Sequence, residues 1–199
     1  YVLTDLASPE GGFYSAEDAD SLPEQSSAVA EEGAFYRWSH KEILQLPCSR
    51  RSIEVFSRFF GIRPEGNVLN DPHHEFAGLN ILKQESTIEE ISRIFSMQES
   101  EVAEALEEVR LALHNVRGKR PRPFLDDKIL TSWNGLMISA LARGYRVLGD
   151  KRLLLAANRA TEFLLSTLYD RRTGKLLRRY RNGSAGIDGK ADDYAFLVQ

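Results

Sequence analysis

From residue 39 onward, apolar positions recur mostly at the three-to-four spacing of amphipathic helices. Ser39-His40-Lys41-Glu42 has the form of a capping box and predicts a short helix that Pro47 ends. Ile53, Phe56, Phe59 and Phe60 place a second helix over 51–60, stopped by Gly61. Residues 64–80 carry Pro64, Gly66, Pro72 and Gly78 and read as loop. Two further capping boxes, Thr87…Glu90 and Ser96…Glu99, predict helices over 88–95 and 97–116. The long one lines up Val102, Ala105, Leu106, Val109, Leu113 and Val116, and Pro121 and Pro123 prevent its continuation. A helix over 132–148 aligns Trp133, Leu136, Met137, Ala140, Leu141, Gly144, Tyr145 and Leu148. The next, over 152–168, aligns Leu153, Ala157, Ala160, Leu164 and Leu168. Asn182-Gly183 marks a tight hairpin in a basic stretch, and a last helix begins near Ala191.

The first 38 residues follow a different pattern. Glu10-Gly11-Gly12-Phe13-Tyr14 is echoed by Glu32-Gly33-Ala34-Phe35-Tyr36, and the two are expected to form short strands paired antiparallel. The acidic segment between them is too long for a simple turn. The fold class expected is mainly α, a layered helical array with small β-hairpins in its loops. Small residues on the inner stripes (Ala140, Gly144, Ala157, Ala160) favour close helix contacts over a tight four-helix bundle.

Composition narrows the function classes. The 199 residues carry a net charge of −3, with 42% hydrophobic and 28% charged residues. That is globular composition, without the clustered positive charge of a general nucleic-acid binder. Cys48 is the only cysteine, so there is no internal disulfide and no paired-cysteine redox or zinc motif. It reads as a half-buried spare thiol. No apolar run approaches a membrane span and no signal peptide is evident, so the expectation is a cytoplasmic protein without a membrane partner. The chain starts at Tyr1 without Met and stops at Gln199 as Ala195–Val198 begin an apolar run, which reads as one domain and a fragment of a longer protein.

The residues that can carry chemistry gather before helix starts. Asp126-Asp127-Lys128 is followed by Trp133 and Asn134 at the start of the 132–148 helix. Carboxylates are favoured there by the helix dipole, and neighbouring ones can divide acid and base roles. An indole face beside an amide suits a sugar, with its apolar face and polar rim. The same residues also suit a plainer use: a capping Asp, a Lys128 ion pair and a core Trp. Asp192, Asp193 and Tyr194, with Asp188 nearby, repeat the arrangement at the last helix. Glu17, Asp18 and Asp20 offer oxygen ligands at near-alternate positions but lack the glycine and closing glutamate of an EF-hand, so no metal is assigned. His73 and His74, followed by Glu75, offer a base in a loop. The helix pair over 87–116 has the outline of a helix-turn-helix, but Glu99, Glu101, Glu104, Glu107 and Glu108 would repel phosphate, and DNA binding is set aside. The basic run Arg171 to Arg181 reads as a solvated face.

Longer motifs add a resemblance. Glu10 to Ser21, Glu32-Gly33-Ala34-Phe35-Tyr36, Gly66-Asn67-Val68, Asp71-Pro72-His73 with Gly78 to Leu82, Asp126 to Leu136, and Ala191 to Ala195 together resemble the spermatogenesis-associated, thioredoxin-fused family of bacteria, archaea and animals. The resemblance implies a thioredoxin-like domain before the first motif. It also implies a six-hairpin α/α toroid similar to sugar 2-epimerases and some glycoside hydrolases, of which this chain would be the first part. In such a toroid the acidic motifs converge on a funnel. His74 stands where the family pattern has a glycine.

The leading expectation is a carbohydrate-handling toroid, an epimerase or isomerase or a hydrolase, acting on a small sugar or glycan without a cofactor. Asp127 and Asp193 are the candidate acid/base pair and His73 the alternative base. Trp133, Tyr194 and Tyr14 would form the platform and Asn134 would bind hydroxyls. Glu17, Asp18, Asp20, Asp126, Lys128 and Asp192 would line the site. The alternative is a binding or scaffold module that presents a client to the thioredoxin-like domain.

Overall fold

The structure, a computed structural model, describes residues 1–69, 71–72 and 75–198. In chain order it begins with α1 (Val2–Asp5) and β1 (Ala16–Glu17). Next come β2 (Asp20–Ser21), β3 (Glu31–Glu32), β4 (Trp38–Ser39), α2 (His40–Leu44), α3 (Arg50–Phe59) and β5 (Leu79–Asn80). Then follow α4 (Ile88–Phe95), α5 (Glu99–Arg117), β6 (Leu125–Asp126), β7 (Ile129–Leu130), α6 (Thr131–Leu148) and α7 (Lys151–Thr167). The chain closes with β8 (Tyr169–Asp170), β9 (Lys175–Arg181), β10 (Ser184–Asp188) and α8 (Ala191–Leu197). The protein is mainly α with short strands, as the periodicity predicts. None of the described helices is long and apolar enough to cross a membrane.

The chain forms two compact units. One takes Tyr1–Asp18 and Leu125–Gln199; the other is the continuous stretch Ala19–Phe124 between them. In the first, β1 pairs antiparallel with β6 (Ala16 opposite Asp126), which brings the two chain segments together. A sheet of order β10-β9-β7 carries β8 on β9. Its β9–β10 hairpin turns at Asn182-Gly183, both left-handed, as a two-residue turn of the type matching strand twist requires. α7 presents Ala157, Ala160 and Leu164 to a core with Phe13, Ile129, Leu141, Phe163 and Leu168.

α6 and α8 approach so closely that Gly135 has no room for a side chain. A Cβ there would lie 2.4 Å from the Phe196 carbonyl oxygen. Backbone cannot swing aside as a side chain can. Gly135→Ala is therefore expected to push α8 away and cost about 1–3 kcal/mol, more than the ~1 kcal/mol of helix propensity that alanine adds. Urea unfolding checks this; an unchanged or raised midpoint would remove the close-packing argument.

The second unit packs α3 against α5 and α4, with Trp38, Ile43, Phe56, Val109 and Leu113 in one cluster and Val55, Ile91 and Val102 in another. The Ser39 and Thr87 capping boxes are present: each hydroxyl accepts from the N–H three residues on, and Glu42 and Glu90 reach back.

Three local expectations are corrected. Ser96 does not cap α5. It ends α4 in the left-handed conformation, and Gln98 with Glu101 forms the box that starts α5. The aromatic echoes do not pair as strands: Phe13 bridges Ala7, and Phe35 and Tyr36 sit in a turn with their rings edge to face. On α6, Trp133, Leu136 and Leu148 are exposed, while Asn134, Gly135 and Leu141 are buried.

Candidate functional site

Asp126 and Asp127 come just before α6 and Asp192 and Asp193 lie in the first turn of α8, and β9 supplies the cations that hold Asp127, Asp192 and Asp193. Asp193, the third residue of α8, is wholly buried. Its Oδ1 accepts from the Ser132 N–H at 3.0 Å, and its Oδ2 accepts from the Lys190 N–H at 2.8 Å and the Arg178 guanidinium at 3.1 Å. One carboxylate thus caps α8 and stitches it to the first turn of α6. Asp192, half-buried beside it, takes the same guanidinium at 3.1 Å, and that hydrogen bond holds its carboxyl below the ordinary value.

Asp127 lies between β6 and β7 and accepts from Arg181 Nε at 2.5 Å. Asp126 pairs with Lys128 at 2.8 Å, which holds its carboxyl down, and its carbonyl accepts from the Ser15 N–H and hydroxyl. Arg178 and Arg181 are three residues apart on β9, so they leave opposite faces of the strand. The expected acid/base pair is thereby held on two different cations. The basic run read as a solvated face supplies these partners; only the fold brings them to acids 14, 15 and 54 residues away.

Asn134 is buried and its amide is engaged with backbone. Its oxygen accepts from the Phe13 N–H at 2.7 Å, and its nitrogen donates to the carbonyls of Phe13 (3.0 Å) and Leu130 (2.9 Å). Both amide hydrogens are used, so none is left for a sugar hydroxyl. Trp133, by contrast, is 53% exposed on the first turn of α6. Beside it the Ser132 hydroxyl is buried and has no partner among the described residues, a donor that sequence reasoning passed over.

The remaining candidates are dispersed. Tyr14 is half-buried against the Ile129–Phe163 cluster. Tyr194 is partly exposed, and its hydroxyl accepts from the Leu176 N–H at 2.9 Å. Glu17 on β1 accepts from the Tyr1 hydroxyl at 2.8 Å. Asp18 closes the first segment of this unit, whereas Asp20 belongs to β2 of the other unit, so the acidic triple is divided. His73 and His74 lie outside the described residues.

The lowered Asp126 and Asp192 carboxyls set a pH dependence. Each ionises more readily folded than unfolded, so its contribution is present above the unfolded value and is lost as pH falls through the folded one. Tm is expected to be flat from pH 7 to 5 and to fall below about pH 4, where ordinary carboxylates protonate. A Tm that rises on acidification below pH 4 would contradict these ion pairs.

No family model matches the chain. Curated relatives do, among them the following three. It is 35% identical over 209 residues to an uncharacterized protein of Caenorhabditis elegans, a match covering 98% of this chain and 28% of that protein. It is 35% identical over 219 residues to spermatogenesis-associated protein 20 of Homo sapiens, covering all of this chain and 28% of that protein. Against the protein of the same name from Rattus norvegicus the figures are 34% over 217 residues, all of this chain and 27% of that protein. The chain therefore spans under a third of the length of these relatives.

Proposed function

We propose that this chain belongs to the family of spermatogenesis-associated protein 20, which identities of 35% and 34% along the whole chain support, and that it contributes a carbohydrate-binding wall to a longer protein. The observation that carries the reading is Trp133, a large indole held open to solvent at the start of α6, next in sequence to the buried Ser132 hydroxyl, which has no partner among the described residues. Stacking of a sugar's apolar face on such a ring, with charged groups to take its hydroxyls, is a physically sufficient recognition mode. Asp126, Asp127, Lys128 and Asp192 supply those groups. Asp193 and Asn134 are committed to holding α6, α8 and the Phe13 segment in place.

The role is binding rather than acid–base chemistry within this chain, because the carboxylates around α6 and α8 are ion-paired, and those of Asp126 and Asp192 are held low by their partners. A glycosidase acid needs the opposite shift. An α/α toroid completed by the rest of the longer protein, and a thioredoxin-like domain that receives its client, belong to the same proposal. The short length matched within the relatives leaves room for both.

The test is a panel of mono- and disaccharides added to the chain, read by thermal shift and by Trp133 emission. A sugar at ~100 times its Kd adds about 2.7 kcal/mol, or roughly 5–10 °C. The shift is expected to vanish in Trp133→Ala and to weaken in Asp127→Asn. If no sugar shifts a chain shown to be folded, the carbohydrate reading fails and a protein-binding scaffold takes its place.

A further inference from the structure

A concave site lies in the continuous unit, Ala19–Phe124. Trp38, Phe56, Phe60, Leu106 and Leu113 floor a cavity of about 310 Å³ between α3 and α5. That is the low end of small-molecule sites, which are characteristically apolar with a few convergent polar groups. Its polar groups come from one stripe of α5: Glu107, Arg110, His114 and Arg117. Glu107 and Arg110 neutralise each other through two hydrogen bonds of 2.6 and 2.7 Å.

Arg117 is different. No carboxylate among the described residues accepts from it; its guanidinium rests over the rings of Phe35 at 5.6 Å and Tyr36 at 5.2 Å. Behind it, Arg120 lies 3.8 Å from the centre of the Trp38 ring and is paired with Glu42. Burial first, and the charge of Arg117 as a smaller cause, hold Arg120 below the ordinary guanidinium value. The mouth of the cavity therefore carries one more cation than its acids balance, and that cation is fixed on aromatic faces.

We propose that this cavity binds a free amphiphilic carboxylate, with its aliphatic body on the Trp38–Phe56–Leu106 floor and its anionic end on Arg117. A wholly apolar ligand would leave Arg117 uncompensated. A hydrophilic anion would leave the floor wet. The small concave volume favours a single aliphatic chain over the broad side of an amphipathic helix.

The two tryptophans make the test specific, since Trp38 is 1% exposed at this floor and Trp133 belongs to the other unit. In a Trp133→Phe chain, decanoate, decanol and acetate are titrated below micelle formation, with Trp38 emission as the readout. Decanoate is expected to give a saturable change, decanol a weaker one and acetate none. Arg117→Gln is expected to weaken decanoate at least about tenfold, as loss of a charge-assisted contact does, and to leave decanol unchanged. Because Arg117 also packs on rings, Ala103→Phe serves as a second variant: it fills the cavity from an exposed position on α5 and is expected to abolish both responses at unchanged Tm. The proposal is overturned if decanoate gives no saturable change, if Arg117→Gln weakens decanoate and decanol equally, or if Ala103→Phe leaves binding intact. A response seen only with anionic lipid vesicles overturns it as well.

Discussion

Replacing Asp193 by Ala is expected to destabilise its unit by about 3 kcal/mol, the lower end of what breaking a buried ion pair costs. The lower end applies because Arg178 still reaches water and keeps Asp192 as a partner. The larger loss is on the backbone: the N–H groups of Ser132 and Lys190 lose their acceptor, and with them α8 loses its attachment to α6. Asp193→Asn keeps the shape but turns donors toward donors, so it should recover only part of the loss. Urea unfolding followed through Trp133 emission reads the effect. A midpoint change of surface-substitution size, within about 0.5 kcal/mol, would mean that Asp193 is not the stitch between the two helices.

Asn134→Ala is expected to cost about as much, near 3 kcal/mol, for a different reason. The amide fills three hydrogen bonds to backbone, two of them to one residue, Phe13, which is 121 positions away in sequence. Truncation strands a buried N–H and two carbonyls, each worth about 1–3 kcal/mol before relaxation, and Tm should fall by roughly 6–12 °C. Trp133→Ala, one residue earlier on the same helical turn, should leave Tm nearly unchanged because the indole faces solvent. Differential scanning calorimetry of the pair separates a structural residue from a candidate binding one. Equal losses in both variants would place Trp133 in the fold as well.

What was legible in the sequence was local. The Ser39 and Thr87 capping boxes, the inner stripe of α7 and the Asn182-Gly183 turn are each complete within a few residues, and each is formed. The Ser96 box failed because two boxes overlap in Ser96–Glu101, and the left-handed end of α4 claims Ser96 first. The pairing of β1 with β6 has no local signature, so the aromatic echo, which did, drew the pairing to the wrong partner. The candidate site divides the same way. Acids before helix starts are visible in the sequence. The arginines that hold them are not, because a strand with a Leu-Leu-Arg-Arg-Tyr-Arg run reads the same whether its cations meet water or carboxylates.

The pairing of Ala16-Glu17 with Leu125-Asp126 also bears on the order in which the chain is made. Residues 1–18 are made before Leu125-Asp126, the strand that β1 pairs with, which follows only after the whole intervening unit of about a hundred residues. At ordinary synthesis rates that is a wait on the order of 5–20 s. The continuous unit is able to fold in that interval from neighbours in sequence, whereas Phe13 must stay unburied until Asn134 emerges. An apolar segment kept waiting in this way is an exposed surface for chaperones, and shortening the wait by replacing residues 19–124 with a tight turn would let the discontinuous unit close on itself directly.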